Sequence, residues 1–236
     1  MVTLKAKLVS WKELAPEVHH FEFEVPGVEN FTFIPGQFVS VVERLHDKEI
    51  TRAYSIASPR DGNRFALCLN RVADGIVSSY LFQLKPGDEV EMGEPLGYFT
   101  LRHPGHRSVF IATGTGIAPF RSMLLEHLPK SHSRITLLFG ARYEQGLLYR
   151  DELERLAQNN ESFHFLPTIT RPTETWTGLT GRVQQHLDQA LAIPSYEDQS
   201  TLDVYVCGLK EMVDDVRAEL KKRGLDRKQI IYEKYD

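Results

Sequence analysis

Apolar and polar positions alternate over Phe21–Val25, Phe65–Leu69 and Glu89–Glu91, the period of strands that lay one face on a core. Glycine and proline punctuate these runs, most clearly at Pro35-Gly36 and Lys85-Pro86-Gly87-Asp88, so tight turns join short strands. One short helix, Ser78–Leu84, interrupts the series. Repeated strands and turns of this kind predict an antiparallel β-barrel.

After Arg102 the rhythm changes, and His103-Pro104-Gly105-His106 reads as a linker. Ser108–Ala112, Arg134–Phe139 and Asp203–Cys207 are nearly continuous apolar runs, as expected of parallel strands covered on both faces. Between them apolar residues recur at helical spacing over Phe120–Leu128, Arg150–Gln158, Arg182–Ala190 and Met212–Lys222. The expected second half is an α/β, doubly wound parallel-sheet domain spanning 103–236, preceded by a barrel domain spanning 1–102.

A length of 236 residues suits two domains, and 42% hydrophobic with 25% charged residues suffices for real cores. The net charge of −4 gives no general footprint for nucleic acid, so no nucleic-acid partner is expected. Met1–Lys5 lacks a charged stretch followed by an apolar one, and no apolar run is long enough to span a membrane. A cytoplasmic monomer is the expectation. Cys68 and Cys207 are the only cysteines, without CxxC spacing, which excludes a four-cysteine iron–sulfur cluster within these residues; no metal site is assigned.

Three segments carry candidate chemistry. Ala112–Pro119 is a glycine turn between a buried strand and a helix. Such a turn lets backbone amides approach a phosphate, although a tight turn with no ligand reads the same way and GxGxxG is not matched. Arg52-Ala53-Tyr54-Ser55 follows a charged loop and enters a strand. Alternation sets Arg52 and Tyr54 on one face, where a guanidinium can clamp a pyrophosphate and a phenol ring can lie on a flat ring system; a solvated arginine beside a packed tyrosine is the alternative. Gly75–Leu81 places glycine and hydroxyls at a helix start, either an anion site or a plain cap by Ser78.

In chain order these are RAYS, GxxSxYL, the turn Gly93–Phe99 and GTGIAPF, followed by Cys207-Gly208 in a CGxxxMV segment and the terminal Tyr232–Tyr235. Together they resemble the ferredoxin–NADP reductase superfamily, and its bacterial branch in particular. The resemblance implies a flavin-binding barrel followed by a nicotinamide-nucleotide domain, with FAD and NADP(H) as cofactors. It implies that Arg52 meets the FAD pyrophosphate, Tyr54 stacks on the isoalloxazine and Ala53 and Ser55 line it, with Ser55 reaching N5. Cys68, Leu69, Asn70 and Arg71 would edge the ribityl and adenosine side, and Ile76, Val77 and Ser78 would meet the pyrophosphate. Gly114, Thr115 and Gly116 would cradle the nicotinamide nucleotide, with Thr115 near the flavin too. Cys207 and Gly208 would lie beside the nicotinamide.

Arg142 and Tyr143 in Gly140–Tyr143, Arg171 after Thr168–Thr170, and Arg182 after Thr180-Gly181 stand at successive strand ends. Singly each is an exposed side chain; jointly they resemble the positions at which the bacterial branch holds the 2′-phosphate of NADP(H). Threonine precedes Arg171 where serine is common in that branch. At the tail, Tyr235 is followed by Asp236 rather than a second aromatic; folded back, Tyr235 would cover the flavin with Glu233 at its edge, and a frayed terminus is the other reading.

The implied function is an FAD-dependent reductase that passes electrons between NADP(H) and ferredoxin or flavodoxin, with Ser55, Cys207, Glu233 and Tyr235 nearest the chemistry. The alternatives are an NAD(P)H-dependent reductase component of an oxygenase system, a flavin reductase, and a nucleotide-binding regulatory subunit without turnover.

Overall fold

A computed structural model of the chain describes residues 3–45, 48–192 and 201–235. The described residues divide into two compact units, 1–101 with 118–126, and 102–117 with 127–236.

The first unit is built on β1 (Thr3–Ala15), β2 (Val18–Glu24), β3 (Phe38–Leu45), β4 (Lys48–Ser55), β5 (Arg64–Asn70) and β6 (Glu89–Gly93). Their antiparallel order is β4-β3-β6-β1-β2-β5. The two outermost strands in that order meet through an antiparallel bridge between Ile56 and Leu67 and a bond from Ala57 N to Ala66 O of 2.7 Å. Closure removes the exposed edges that an open sheet would present, and the barrel expected from the alternating pattern is the barrel observed.

Its inward positions carry Phe21, Phe23, Phe31, Phe33 and Phe65, all buried in one cluster with Leu8, Val39 and Met92. Phe65 stacks on Phe23 at 5.5 Å and meets Phe31 at 4.9 Å. Each such ring contributes about 1.5–3 kcal/mol by leaving water. Helix α1 (Ile76–Leu81) adds Val77 and Leu81 to that cluster. It starts two residues earlier than the sequence pattern suggests, because its N-cap is Gly75 rather than Ser78.

RAYS also sits differently from expectation. It closes β4 instead of opening a strand, since pairing with β3 begins at Lys48–Leu45 and runs to Ser55–Phe38. The charged residues Lys48 and Glu49 are compatible with a strand here because both are exposed.

The second unit holds β7 (Arg107–Thr113), β8 (Ile135–Ala141), β9 (Phe163–Ile169), β10 (Leu179–Thr180), β11 (Leu202–Leu209) and β12 (Ile230–Tyr235). All are parallel, in the order β10-β9-β8-β7-β11-β12. Helices α2 (Ile117–His127), α3 (Arg150–Asn159), α4 (Leu187–Ala192) and α5 (Lys210–Lys222) alternate with the strands. β9 was not legible in sequence because Pro167 interrupts it. The proline is tolerated because β10 pairs only with Thr168 and Ile169, which leaves the rest of β9 an edge.

Pro119 likewise hides the true start of α2, which begins at Ile117 and not Phe120. A proline in the first helical turn removes an N–H that has no intrahelical acceptor. Residues 118–126 of α2 belong with the barrel unit. Arg121 Nη1 donates to Ala57 O at 2.6 Å, Ser122 Oγ donates to Ser58 O at 2.6 Å, and Arg60 pairs with Glu126 at 2.7 Å. The expected helix over Arg182–Ala190 divides into a tight turn at Val183–His186 followed by α4.

Candidate functional site

In the parallel sheet the chain runs outward from β7 through β8 and β9 to β10, then returns to place β11 on the other side of β7. The strand order therefore reverses between β7 and β11, and open α/β sheets bind ligands at the carboxyl ends flanking such a reversal. Gly114–Gly116 follows β7 at that edge, and Cys207-Gly208 lies at the end of β11, with Cys207 paired in register with Ala112.

The two turns touch backbone to backbone. A Cβ on Gly116 would stand 2.4 Å from Cys207 O and 2.7 Å from Cys207 C, closer than any side chain allows. One on Gly208 would stand 2.7 Å from Thr113 Oγ1, and its φ of +152° suits glycine alone. Gly114 is exposed, with no atom near the position of a Cβ, and Thr115 beside it is half-buried. The result is a close backbone junction of two strand-end turns, with Gly114 exposed at its rim.

Cys207 is fully buried. Burial pushes its thiol well above the usual range, the Glu233 carboxylate adds to the rise, and a hydrogen bond with Tyr235 opposes it. The side chain is thus a neutral thiol at physiological pH rather than a nucleophilic thiolate. Glu233 and Tyr235 lie on β12, Glu233 in register with Cys207 and Tyr235 with Leu209. The tail is an edge strand as far as Tyr235; Asp236 is outside the described residues.

On the far side of β7, Arg142 and Tyr143 follow β8, Arg171 follows β9 by two residues, and Arg182 follows β10 by two, all exposed. Three neighbouring strands therefore bring the three arginines to one edge. Arg171 N donates to Arg142 O at 2.9 Å, Arg171 Nη1 donates to Tyr143 Oη at 3.2 Å, and Gly181 N donates to Ile169 O at 2.9 Å. Thr168 Oγ1 donates to Gly181 O at 2.9 Å. The intervening loop is ordered by Trp176, a residue that sequence reasoning passed over. Its Nε1 donates to Leu179 O at 2.9 Å and Arg150 lies over its ring at 5.2 Å. A lone tryptophan in the polar run Thr170–Gly178 was the available signal.

In the barrel unit, Arg52 is exposed and donates to Thr51 O at 2.9 Å, with no carboxylate in ion-pair reach among the described residues. Tyr54 is half-buried against the barrel core. Burial pushes its phenol up to about 12, and the Arg52 charge opposes the rise. Ala53 is exposed and Ser55 buried.

Cys68 and Leu69 are buried within β5, whereas Asn70 and Arg71 are exposed, Arg71 lying 3.9 Å from Glu17. Ile76 is exposed and Val77 buried. Ser78 is buried, and its Oγ accepts from Val72 N at 3.1 Å and approaches Gly75 O at 3.4 Å. The hydroxyl thus shapes the loop before α1, and among the described residues no side chain caps that helix.

Residues 5–101 match the family model described as an oxidoreductase FAD-binding domain, and residues 110–218 match the oxidoreductase NAD-binding domain. Ferredoxin–NADP reductase B of Sorangium cellulosum is 39% identical over 238 residues, covering 98% of this chain and 97% of that protein. The chain belongs to the ferredoxin–NADP reductase family.

A further family member, the ferredoxin–NADP reductase of Thermosynechococcus vestitus, is 32% identical over 266 residues, covering 95% of this chain and 68% of that protein. The fold is shared with a ferredoxin NADP+ reductase from Neisseria gonorrhoeae solved with bound FAD and NADP, at a TM-score of 0.82, 24% identity and 98% coverage of each chain. The protein is accordingly a flavoprotein oxidoreductase that uses FAD and a nicotinamide nucleotide. Both groups fit what the units present: an exposed arginine two residues from a half-buried tyrosine and, among the described residues, a helix start without a side-chain cap in the barrel, and a glycine-rich junction of strand-end turns in the sheet. Among the described residues no helix is long and apolar enough to cross a membrane.

Proposed function

We propose that the protein is a ferredoxin/flavodoxin–NADP(+) reductase, with residues 1–102 as the FAD-binding domain and 103–236 as the NADP(H)-binding domain. FAD, when bound, would supply the redox chemistry, namely hydride acceptance from NADPH and one-electron release to the carrier. The protein contributes binding and orientation. Arg52 and the first-turn amides of Ile76 and Val77 neutralise the flavin pyrophosphate. Tyr54 stacks on the ring system, Ala53 and Ser55 border it, and Cys68 to Arg71 line the ribityl and adenosine side. Ser78 acts one step back, by holding the loop that presents those amides.

Gly114, Thr115, Gly116 and Gly208 admit the nicotinamide nucleotide at the strand reversal. Cys207 offers a small neutral wall, with Glu233 and Tyr235 beside it on the neighbouring strand. Ferredoxin as the carrier rests on the family relatives. Flavodoxin is proposed alongside it as a carrier of the same one-electron class. The proposed enzyme works as a monomer in the cytoplasm, a reducing compartment in which its two thiols stay reduced.

The observation that carries the choice of NADP(H) over NADH is the set Arg142, Arg171 and Arg182 on adjacent strand ends, with Tyr143 bonded to Arg171. Charge-assisted bonds to a phosphate contribute about 1.5–3 kcal/mol each. Arg142→Ala or Arg182→Ala should therefore raise the KM for NADPH by about 10- to 100-fold and leave that for NADH little changed. Steady-state assays with each nucleotide test this. Equal effects on both nucleotides would refute the 2′-phosphate role, and a colourless protein that does not take up FAD would overturn the assignment itself.

A further inference from the structure

At the amino end of the parallel sheet, opposite the strand ends described above, a second cluster forms. The segment His103-Pro104-Gly105-His106 is a turn closed by a bond from His106 N to His103 O of 2.9 Å, and Ser133 Oγ donates to Pro104 O at 2.6 Å to pin it. The turn folds the two imidazoles over one another, with ring centroids 4.4 Å apart and planes 29° from parallel. Both face Asp203 near the start of β11. His103 Nδ1 lies 2.8 Å from Asp203 Oδ2 and His106 Nδ1 lies 3.4 Å from the same oxygen.

Two features ask for a cation here. The Asp203 side chain is only 4% exposed, and a carboxylate taken out of water is costly unless positive charge or several donors face it. His106 Nδ1 is shielded from solvent and makes no hydrogen bond among the described residues. Two imidazoles and one carboxylate, each offering one atom within 4.8 Å of the others, form a three-ligand set of the kind zinc accepts, with nitrogen and oxygen at about 2.0–2.2 Å and a fourth position for water.

A tetrahedral shell with those bond lengths spaces its ligand atoms about 3.4 Å apart. The His106–Asp203 separation of 3.4 Å already meets that spacing, and the His103–Asp203 pair needs only to open from 2.8 Å. His103 is the half-exposed member, at 53%, so its ring is free to swing and the fourth position opens to solvent.

We propose that His103, His106 and Asp203 form a binding site for a divalent transition metal of the zinc class, which ties the turn preceding β7 to the start of β11. The site takes borderline-soft ions and discriminates against magnesium, because two of its three ligands are imidazole nitrogens. It is structural, since it stands at the end of the sheet away from the glycine-rich junction, and its loss leaves hydride transfer intact.

The test uses tag-free, FAD-loaded full-length protein freed of metal by a chelator, with calorimetric titration of zinc chloride and of magnesium chloride. One zinc per chain and no magnesium should bind, and zinc should raise the melting temperature. His103→Ala and His106→Ala should each weaken zinc binding by at least about 100-fold, by analogy with the 10- to 100-fold cost of losing an outer-shell partner, and abolish the thermal shift. Both variants should reduce ferricyanide with NADPH at the wild-type rate, which shows that they fold. Failure of the wild type to bind zinc, magnesium binding as tight as zinc, or retention of tight zinc binding by either variant would overturn the proposal. The zinc-binding and melting readouts do not depend on which nucleotide or carrier protein the enzyme prefers.

Discussion

Gly116→Ala tests whether the backbone contact between the two strand-end turns holds the nucleotide cradle. The added Cβ would lie 2.4 Å from Cys207 O, 2.7 Å from Cys207 C and 3.0 Å from Gly208 Cα. All three neighbours are main chain, so no rotamer relieves the overlap. Ordinary contact begins near 3.4 Å, so Gly114–Gly116 and Cys207-Gly208 must separate by about 1 Å, the scale of misplacement that costs a reaction about 100-fold. Overpacking of this kind costs about 1–3 kcal/mol, and at about 2–4 °C per kcal/mol for a chain of this size a midpoint near 2 kcal/mol lowers the melting temperature by about 4–8 °C. The assay pairs calorimetry with NADPH-driven ferricyanide reduction. Flavin content should stay at wild type, because the cradle belongs to the other unit, while kcat/KM falls about 100-fold. A Gly116→Ala protein with wild-type melting temperature and wild-type kcat/KM would refute the argument that this glycine is required by close approach.

Three other outcomes follow from two buried groups. Burial holds the Cys207 thiol well above its usual range, so it stays protonated through neutral pH, and any stability it contributes is present below the ordinary thiol pKa and lost only as pH climbs through the raised value. Native protein at about pH 8 should therefore alkylate Cys207 far more slowly than unfolded protein, as read by mass spectrometry; labelling at the rate of a simple thiol would contradict the burial. Cys207→Ala should slow flavin reduction while FAD content is preserved, and loss of FAD would instead show a structural role. Tyr205 Oη accepts from Arg102 N at 2.9 Å inside the sheet unit, and Tyr205→Phe strands that N–H at a cost of about 1–3 kcal/mol. The ring keeps its edge-on packing against Phe110, so denaturant unfolding should show the loss while the NADPH dependence of turnover is unchanged; unaltered stability would mean that water replaces the phenol.

Much of this protein was legible as pattern. The period-two runs around Phe21, Phe65 and Val90 predict the barrel, because a closed antiparallel sheet buries one side of every strand. The apolar runs at Val109, Leu137 and Val204 predict the parallel sheet, because helices cover both its faces. Boundaries failed where one residue outweighed its neighbours. Pro119 and Pro167 read as breaks in sequence, yet the first falls in a helical turn with no acceptor for its N–H and the second on a nearly unpaired edge. Ser78 reads as a cap, yet Gly75 takes that place and the Ser78 hydroxyl turns back to Val72.

By itself the sequence determined the class of fold, the order of the two domains and the residue types available to a flavin and a nucleotide, since those follow from local periodicity and from motifs a few residues long. The tertiary structure alone decided which distant segments share an edge. Strand order brings Gly116 against Cys207, sets Arg142, Arg171 and Arg182 side by side, and lays His103 and His106 on Asp203. Such neighbours are separated by tens of residues along the chain and joined only by sheet register, a long-range property that no short window of sequence carries.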